Sequence, residues 1–263
     1  MIYAIIVIYN KKCRESITLS RLQEINFEFQ KVIFDNSDAD FGNKEYCISH
    51  GYIYYSMNQN VGLSKAYNYC VSHLPLQDDD YVVILDDDTE INDTYLKEAE
   101  KESELRRADI LLPIVKAGER ILSPYNFYQN VRSKMVDDIN DINLTQVSAI
   151  NSGMMICGTV FKKIRYNEKL FLDYVDYDFM RQAHKSGISI GIMNCTIYQH
   201  YSNFEKESLN GAIKRYSIFL KDFKILCAEG NQKWFYPLYI AKFTTSLTIK
   251  YKSCAFIRTL IRN

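Results

Sequence analysis

The densest chemical signal in the chain is Asp86-Asp87-Asp88, which ends the apolar run Tyr81–Leu85. Three adjacent carboxylates at the end of a buried strand repel one another unless a divalent cation neutralises them, and their hard oxygens suit Mg²⁺ or Mn²⁺. The competing reading is a solvated acidic turn before a helix that starts near Asn92, and the upstream Asp78-Asp79-Asp80 reads as a turn of that kind. A second signal is Phe171–Arg181, where Asp173, Asp176 and Asp178 alternate with aromatics. A carboxylate walled by rings has its pKa raised by desolvation, which suits a general base; an acid-rich first helical turn is the plain alternative. Asp35-Asn36 closes another strand as an Asx turn or a ligand contact. Gly62, in the stretch Asn60–Asn68, lets the backbone at a helix start approach something closely. His200 is either a hydrogen-bonded structural residue or a metal ligand.

Positioning these groups requires strands that end where the carboxylates begin. Ile2–Tyr9, Phe29–Phe34, Tyr52–Met57, Tyr81–Leu85 and Ile110–Val115 read as strands. Between them, Arg14–Leu22 has helical spacing, Leu63, Ala66, Tyr67, Cys70, Val71 and Leu74 form one apolar helical stripe, and Thr94–Arg107 reads as a charged surface helix. This βα alternation with fully apolar strands predicts a mostly parallel sheet with helices on both faces, where ligands bind beyond the carboxyl ends of strands. Residues 117–150 read as loops and a hairpin, Ser152–Phe161 as small and apolar, Asp176–Lys185 as a helix, Ile188–Ile197 as a strand, and the chain from Glu205 as two helices.

Composition narrows the class. The 263 residues suit one large domain with an appendage, and 47% hydrophobic with 24% charged residues is globular, neither disordered nor collagen-like nor a coiled coil. Thirty-two basic residues balance 32 acidic ones, so no global basic field invites nucleic acid. Neither G-x-x-x-x-G-K-[ST] nor G-x-G-x-x-G occurs. Seven cysteines without a C-x-x-C pair argue for reduced, mostly buried thiols in a cytosolic protein. The apolar opening is short and has no basic segment before it, so it reads as a strand, not a signal peptide.

In order and spacing the set resembles family 2 glycosyltransferases of the GT-A fold, over about residues 2–203. Ala4–Asn10 is similar to the family's opening strand, Asp35-Asn36-Ser37 to its second-strand element, and Asn60-x-Gly62-x-x-x-Ala66-x-Asn68 to its helix motif. Asp86-Asp87-Asp88 resembles the D-x-D motif, Asn151–Met155 the acceptor-side strand with Ser152-Gly153, and Val175–Arg181 the E-D-x-D/E-x-x-x-R helix. The pattern is especially similar to bacterial rhamnosyl- and galactosyltransferase-like enzymes of surface polysaccharide synthesis. The resemblance implies a Rossmann-like α/β GT-A fold, with a glycosyltransferase domain over residues 1–205 and a helical extension over 206–263. It implies a UDP- or dTDP-sugar donor contacted by Tyr9, Asp35, Asn36, Asn60, Gly62, Lys65, Asn68, Asp86 and Asp87. It further implies Mn²⁺ or Mg²⁺ on Asp88 and His200, Asp176 as the base of an inverting displacement, and Ser152, Gly153, Asp178 and Arg181 on the side of a saccharide or lipid-linked acceptor. The chain departs from the pattern at Val175, where an acid often stands, and at Asp87, the middle of the D-x-D. It also has no Q-x-x-R-W motif, which disfavours a processive synthase.

The tail carries its own signal. Lys214–Asn263 has ten basic and two acidic residues, a charge of +8 that leaves −8 on the rest. Basic helices with aromatics lie on anionic membranes, each Lys or Arg contributing about 1 kcal/mol, or else bury their apolar face in a cap or a homodimer. A cytoplasmic enzyme, peripheral at the inner face of the plasma membrane, fits the first reading. Two rivals stand beside the glycosyltransferase. One is an aspartyl-phosphate phosphatase, whose D-x-D-G-T/V motif fails at Thr89-Glu90; the other is an inactive nucleotide-sugar-binding relative.

Overall fold

A computed structural model describes residues 1–24, 29–128, 131–199 and 208–262. The first strand, β1 (Ile2–Ile8), is apolar at every position and therefore buries both faces: Tyr3 and Ile5 enter one core, Ala4, Ile6 and Ile8 the other. Around it the chain runs α1 (Ile17–Glu24), β2 (Gln30–Asp35), α2 (Asn43–Ser49), β3 (Ile53–Ser56), α3 (Leu63–His73) and β4 (Tyr81–Leu85). There follow β5 (Thr89–Glu90), α4 (Asp93–Leu105), β6 (Ile110–Ala117) and β7 (Arg120–Ser123). Strands β8 (Tyr125–Tyr128), β9 (Arg132–Lys134) and β10 (Val147–Ser148) form a small antiparallel sheet in the order β10-β8-β9, so residues 117–150, expected as loops and a hairpin, hold more strand than that.

The next elements are β11 (Met155–Cys157), α5 (Val160–Lys163), α6 (Val175–Lys185) and β12 (Ile190–Gln199). Among the described residues the main sheet has nine strands in the order β3-β2-β1-β4-β11-β6-β12-β5, with β7 beside β6. Pairings β3-β2, β2-β1, β1-β4 and β6-β12 are parallel, whereas β11 runs antiparallel to both β4 and β6. That inversion matters for the site, because it puts the residues before β11 at the carboxyl end of β4. The apolar stripe of α3 and the inner face of α6 cover one side of the sheet, and α1, α2 and α4 the other. Asn92 caps α4 by accepting from the Tyr95 N–H, the position at which the sequence places that helix start.

After residue 208 come three helices, one more than the two expected: α7 (Leu209–Glu229), α8 (Phe235–Tyr251) and α9 (Ala255–Arg262). The break between α8 and α9 falls at Lys252, in the left-handed region with φ 50°. They share a third, aromatic-rich core in which Tyr216, Phe223 and Phe256 meet Tyr125 and Tyr177 of the body. Among the described residues no helix is long and apolar enough to cross a membrane.

Candidate active site

Parallel pairing brings the carboxyl ends of β2, β1 and β4 to one edge, so Asp35 and Asp86 sit two strands apart, about 10 Å in the plane of the sheet. The loop that follows β4 is fixed from the opposite side by the start of α1. Ser16 caps α1 by accepting the Leu19 N–H and donates its hydroxyl to the Asp87 carbonyl at 2.8 Å. Thr18 donates to the Asp86 carbonyl at 2.5 Å and accepts the Thr89 N–H at 2.9 Å. The carboxylates of 86–88 thus stand on a backbone that cannot relax away from its own charge.

Each of the three meets a different environment. Asp86 accepts hydrogen bonds from the Ser152 hydroxyl and from the Gln199 amide, the latter at 3.2 Å. Ser152 arrives there because of the antiparallel β11, whose entry is pinned by Gly153 N–H donating to the Ile84 carbonyl at 2.8 Å. Burial pushes the Asp86 carboxyl up to about 6, against the Ser152 hydrogen bond, with the charges of Asp88 and Asp87 adding to the rise. Asp87 pairs with Lys11 at 2.5 Å. Asp88 is raised by burial and by the Asp87 charge, and Lys11 opposes this. Among the described residues no three His, Cys, Asp or Glu side chains converge as a metal cage. His200, expected as a ligand, lies outside the described residues.

Asp176 sits in the first turn of α6 and lines a cavity of about 770 Å³ with Tyr125, Tyr174, Tyr177, Arg132, Tyr239 and Lys242 among its walls. Burial pushes its carboxyl up to about 7; the Tyr177 N–H, donating at 2.7 Å, opposes this, and the Asp86 charge adds to it. The buried phenols of Tyr67 and Tyr166 feel both Asp86 and Asp176, so the two carboxylates flank one aromatic wall. The loop before Asp176 is held by a residue that sequence reasoning counted only as a charge. Buried Asp222 of α7 accepts the backbone N–H groups of Phe171, Leu172 and Asp173 at 3.0, 2.8 and 2.8 Å. Arg215, also on α7, pairs with Asp173.

Other expected site residues spend their polar atoms on the protein. Asp35 is buried and accepts from Asn43 at 2.9 Å, Tyr54 at 3.2 Å and the Ser37 N–H at 3.2 Å, at the edge of a cavity of about 570 Å³. Tyr9 is exposed, with its hydroxyl 3.4 Å from Asp38, which lines the same cavity. Asn36 and Asn60 bond each other and the N–H groups of Val61 and Gly62. Gly62 does permit a close approach, but of the chain itself: a Cβ there would lie 2.6 Å from the Phe171 carbonyl, to which Leu63 donates at 2.7 Å. Asn68 grips the Tyr166 backbone and Glu168, and Lys65 is exposed on α3. Gly153 packs against Ile197 and Pro113. Asp178, about 200° round the helix from Asp176, pairs with Arg181, which also reaches Glu229 and the Leu226 carbonyl of α7. This pair borders a different cavity, of about 880 Å³. The structure therefore gathers Asp86, Ser152 and Asp176, adds Gln199, Lys11 and Asp222, and leaves Asn68, Asp178 and Arg181 in structural contacts.

Against this geometry the family model described as glycosyl transferase family 2 matches residues 3–165, well over half of the chain. The chain belongs to glycosyltransferase family 2. That membership removes the phosphatase alternative and agrees with the GT-A fold. No curated protein matches. Among solved structures, the family 2 chain superposes on S. aureus TarS 1–349 with a TM-score of 0.53 at 14% identity, covering 96% of this chain and 92% of that one. The same TarS fragment in complex with UDP-GlcNAc gives 0.54 at 16%, covering 99% and 80%. GalNAc-T7 with UDP, GalNAc and Mn²⁺ gives 0.57 at 13%, covering 83% of this chain and 48% of that one. At such identities the likeness establishes the fold.

Proposed function

We propose that this glycosyltransferase moves a hexose from a UDP- or dTDP-sugar to a hydroxyl of a saccharide, lipid-linked in surface polysaccharide synthesis, with inversion at the anomeric carbon. The observation that carries the reading is Asp176: a carboxyl held up to about 7, facing a cavity, on the same aromatic wall as Asp86. A base so placed is about half ionised at neutral pH and has real affinity for a proton. Asp176 takes the acceptor hydroxyl proton as the acceptor oxygen bonds to the anomeric carbon from the opposite face. The bond from that carbon to the β-phosphate oxygen breaks, and the nucleoside diphosphate leaves. No protein nucleophile is needed. Asp35 and Tyr9 border the base end of the donor, and Asp86 and Asp87 its ribose.

The donor chemistry at 86–88 fits a hard divalent ion such as Mn²⁺ or Mg²⁺. Asp88 is a carboxylate whose proton affinity is raised by burial and by the neighbouring Asp87 charge, and Asp88, with His200, would hold the ion. When bound, the ion offsets charge building on the leaving group. Lys11 neutralises Asp87 in the same loop.

Thermal unfolding with UDP-, dTDP-, GDP- and CDP-sugars, each with Mn²⁺ or Mg²⁺, tests the donor. A ligand at a hundred times its Kd stabilises by about 2.7 kcal/mol, or roughly 5–10 °C at this size. A shift with a UDP- or dTDP-sugar is expected; no shift with any of them overturns the reading.

A further inference from the structure

The outward sides of α8 and α9 carry charge of one sign. From Gly230 to Asn263 the sequence has six basic residues, Lys233, Lys242, Lys250, Lys252, Arg258 and Arg262, and no acidic one. The two acids of the tail lie on α7 and both are engaged by the body: buried Asp222 by the loop before Asp176, and exposed Glu229 by Arg181, Lys169 and Asn167. Along α8 and the residue before it, Trp234, Leu238, Ala241, Thr245 and Ile249 recur every three or four residues and all are exposed, Trp234 by 62%, Leu238 by 64% and Ile249 by 71%. The opposite stripe, Tyr236, Ile240, Phe243 and Leu247, packs into the aromatic core. The neighbouring α9 buries Phe256 and exposes Ile257 and Ile261 one turn apart, beside Arg258 and Arg262. Helix α8 is therefore apolar on two sides with only one of them covered.

We propose that the uncovered side of α8 and α9 docks on the surface of an anionic lipid bilayer. Exposed apolar side chains flanked by cations, on helices that do not span a membrane, are what lies in a headgroup layer. A second copy of the chain is a poor occupant. In a two-fold pair the same patch meets itself, which sets like charges against one another with no carboxylate from residues 230–263 to offset them. A bilayer bearing phosphate headgroups supplies the negative charge the patch lacks. Leu238, Lys242 and Ser246 of α8 also line the cavity at Asp176, so docking brings that cavity to the lipid boundary; this last point rests on the proposed function.

Trp234 is the sole tryptophan and reports on the patch directly. The full chain is mixed with vesicles of phosphatidylcholine alone or with added phosphatidylglycerol, without nucleotide sugar, and followed by co-sedimentation and tryptophan emission. Binding with a blue shift is expected on the anionic vesicles only, and it falls steeply as salt is added. Replacing Lys250, Lys252, Arg258 and Arg262 by Gln weakens binding by about two orders of magnitude or more while leaving the melting temperature unchanged. Equal binding to both vesicles, binding to neither, or a dimer in light scattering that the fourfold variant dissolves would each overturn the proposal. Because no donor is present, failure here leaves the transferase reading intact, and loss of turnover leaves vesicle binding intact.

Discussion

Replacing Asp176 by Asn keeps the shape of the side chain and an oxygen to accept the Tyr177 N–H at 2.7 Å, and removes its charge and its ability to take a proton. Two consequences follow from one number. A general base contributes about 10²–10⁴ in rate, so turnover should fall by that factor, roughly 3–5 kcal/mol in the barrier, while donor binding is retained. The second consequence is on stability. Folding lifts the carboxyl from its ordinary 3.8 to about 7, about three pH units at about 1.4 kcal/mol each, so at most roughly 4 kcal/mol. A raised carboxyl is no burden below pH 3.8, where it is protonated folded and unfolded alike. As pH rises toward 7 the unfolded chain gains by ionising first, and the folded state loses stability until the native carboxyl also ionises. The Asn variant escapes this loss. Its melting temperature should match the parent's near pH 4 and exceed it above pH 7 by up to about 15 °C. In the parent, kcat/KM should fall on the acid side of about pH 7, a limb the variant lacks. Parental turnover in the variant, or a melting difference that ignores pH, refutes the assignment.

Asp222→Ala strips three part-buried backbone donors of their acceptor and should cost about 3 kcal/mol. It should also lower kcat through the displaced Phe171–Asp173 loop, and calorimetry with turnover on the same sample checks both. Gly62→Ala places a Cβ 2.6 Å from the Phe171 carbonyl at φ 83°, a conformation that side chains avoid, so roughly 2–3 kcal/mol of destabilisation is expected, read as a lowered denaturation midpoint.

What the sequence made legible were groups whose meaning is local. Tyr81–Leu85 announces a buried strand by composition alone, and the acids after it fall at its carboxyl end whatever the rest of the chain does. The α3 stripe is legible for the same reason, since residues three and four apart share a face. The resemblance offered a strand at Asn151–Met155, but the bounds and antiparallel direction of β11 were hidden because three residues carry no period, and its pairing with β4 spans some seventy residues of chain. Asp222 was hidden because its partners lie about fifty residues upstream; within α7 it is only an acid among lysines. Asn68 and Gly62 invite a ligand by type, yet the contacts that occupy them are with Tyr166 and Phe171. Residue chemistry narrows what a position can bind, and only the fold decides whether the chain has already bound it.

The clamp of α7 on the loop before Asp176 also sets an order of events during synthesis. Asp176 emerges from the ribosome before the helix that fixes its loop, so an unfinished polypeptide can own this carboxyl and still lack the contacts that position it. The loop before Asp176 gains its anchor only when translation has passed Asp222 and that helix has docked, so a nascent or truncated copy carries the carboxyl without the clamp.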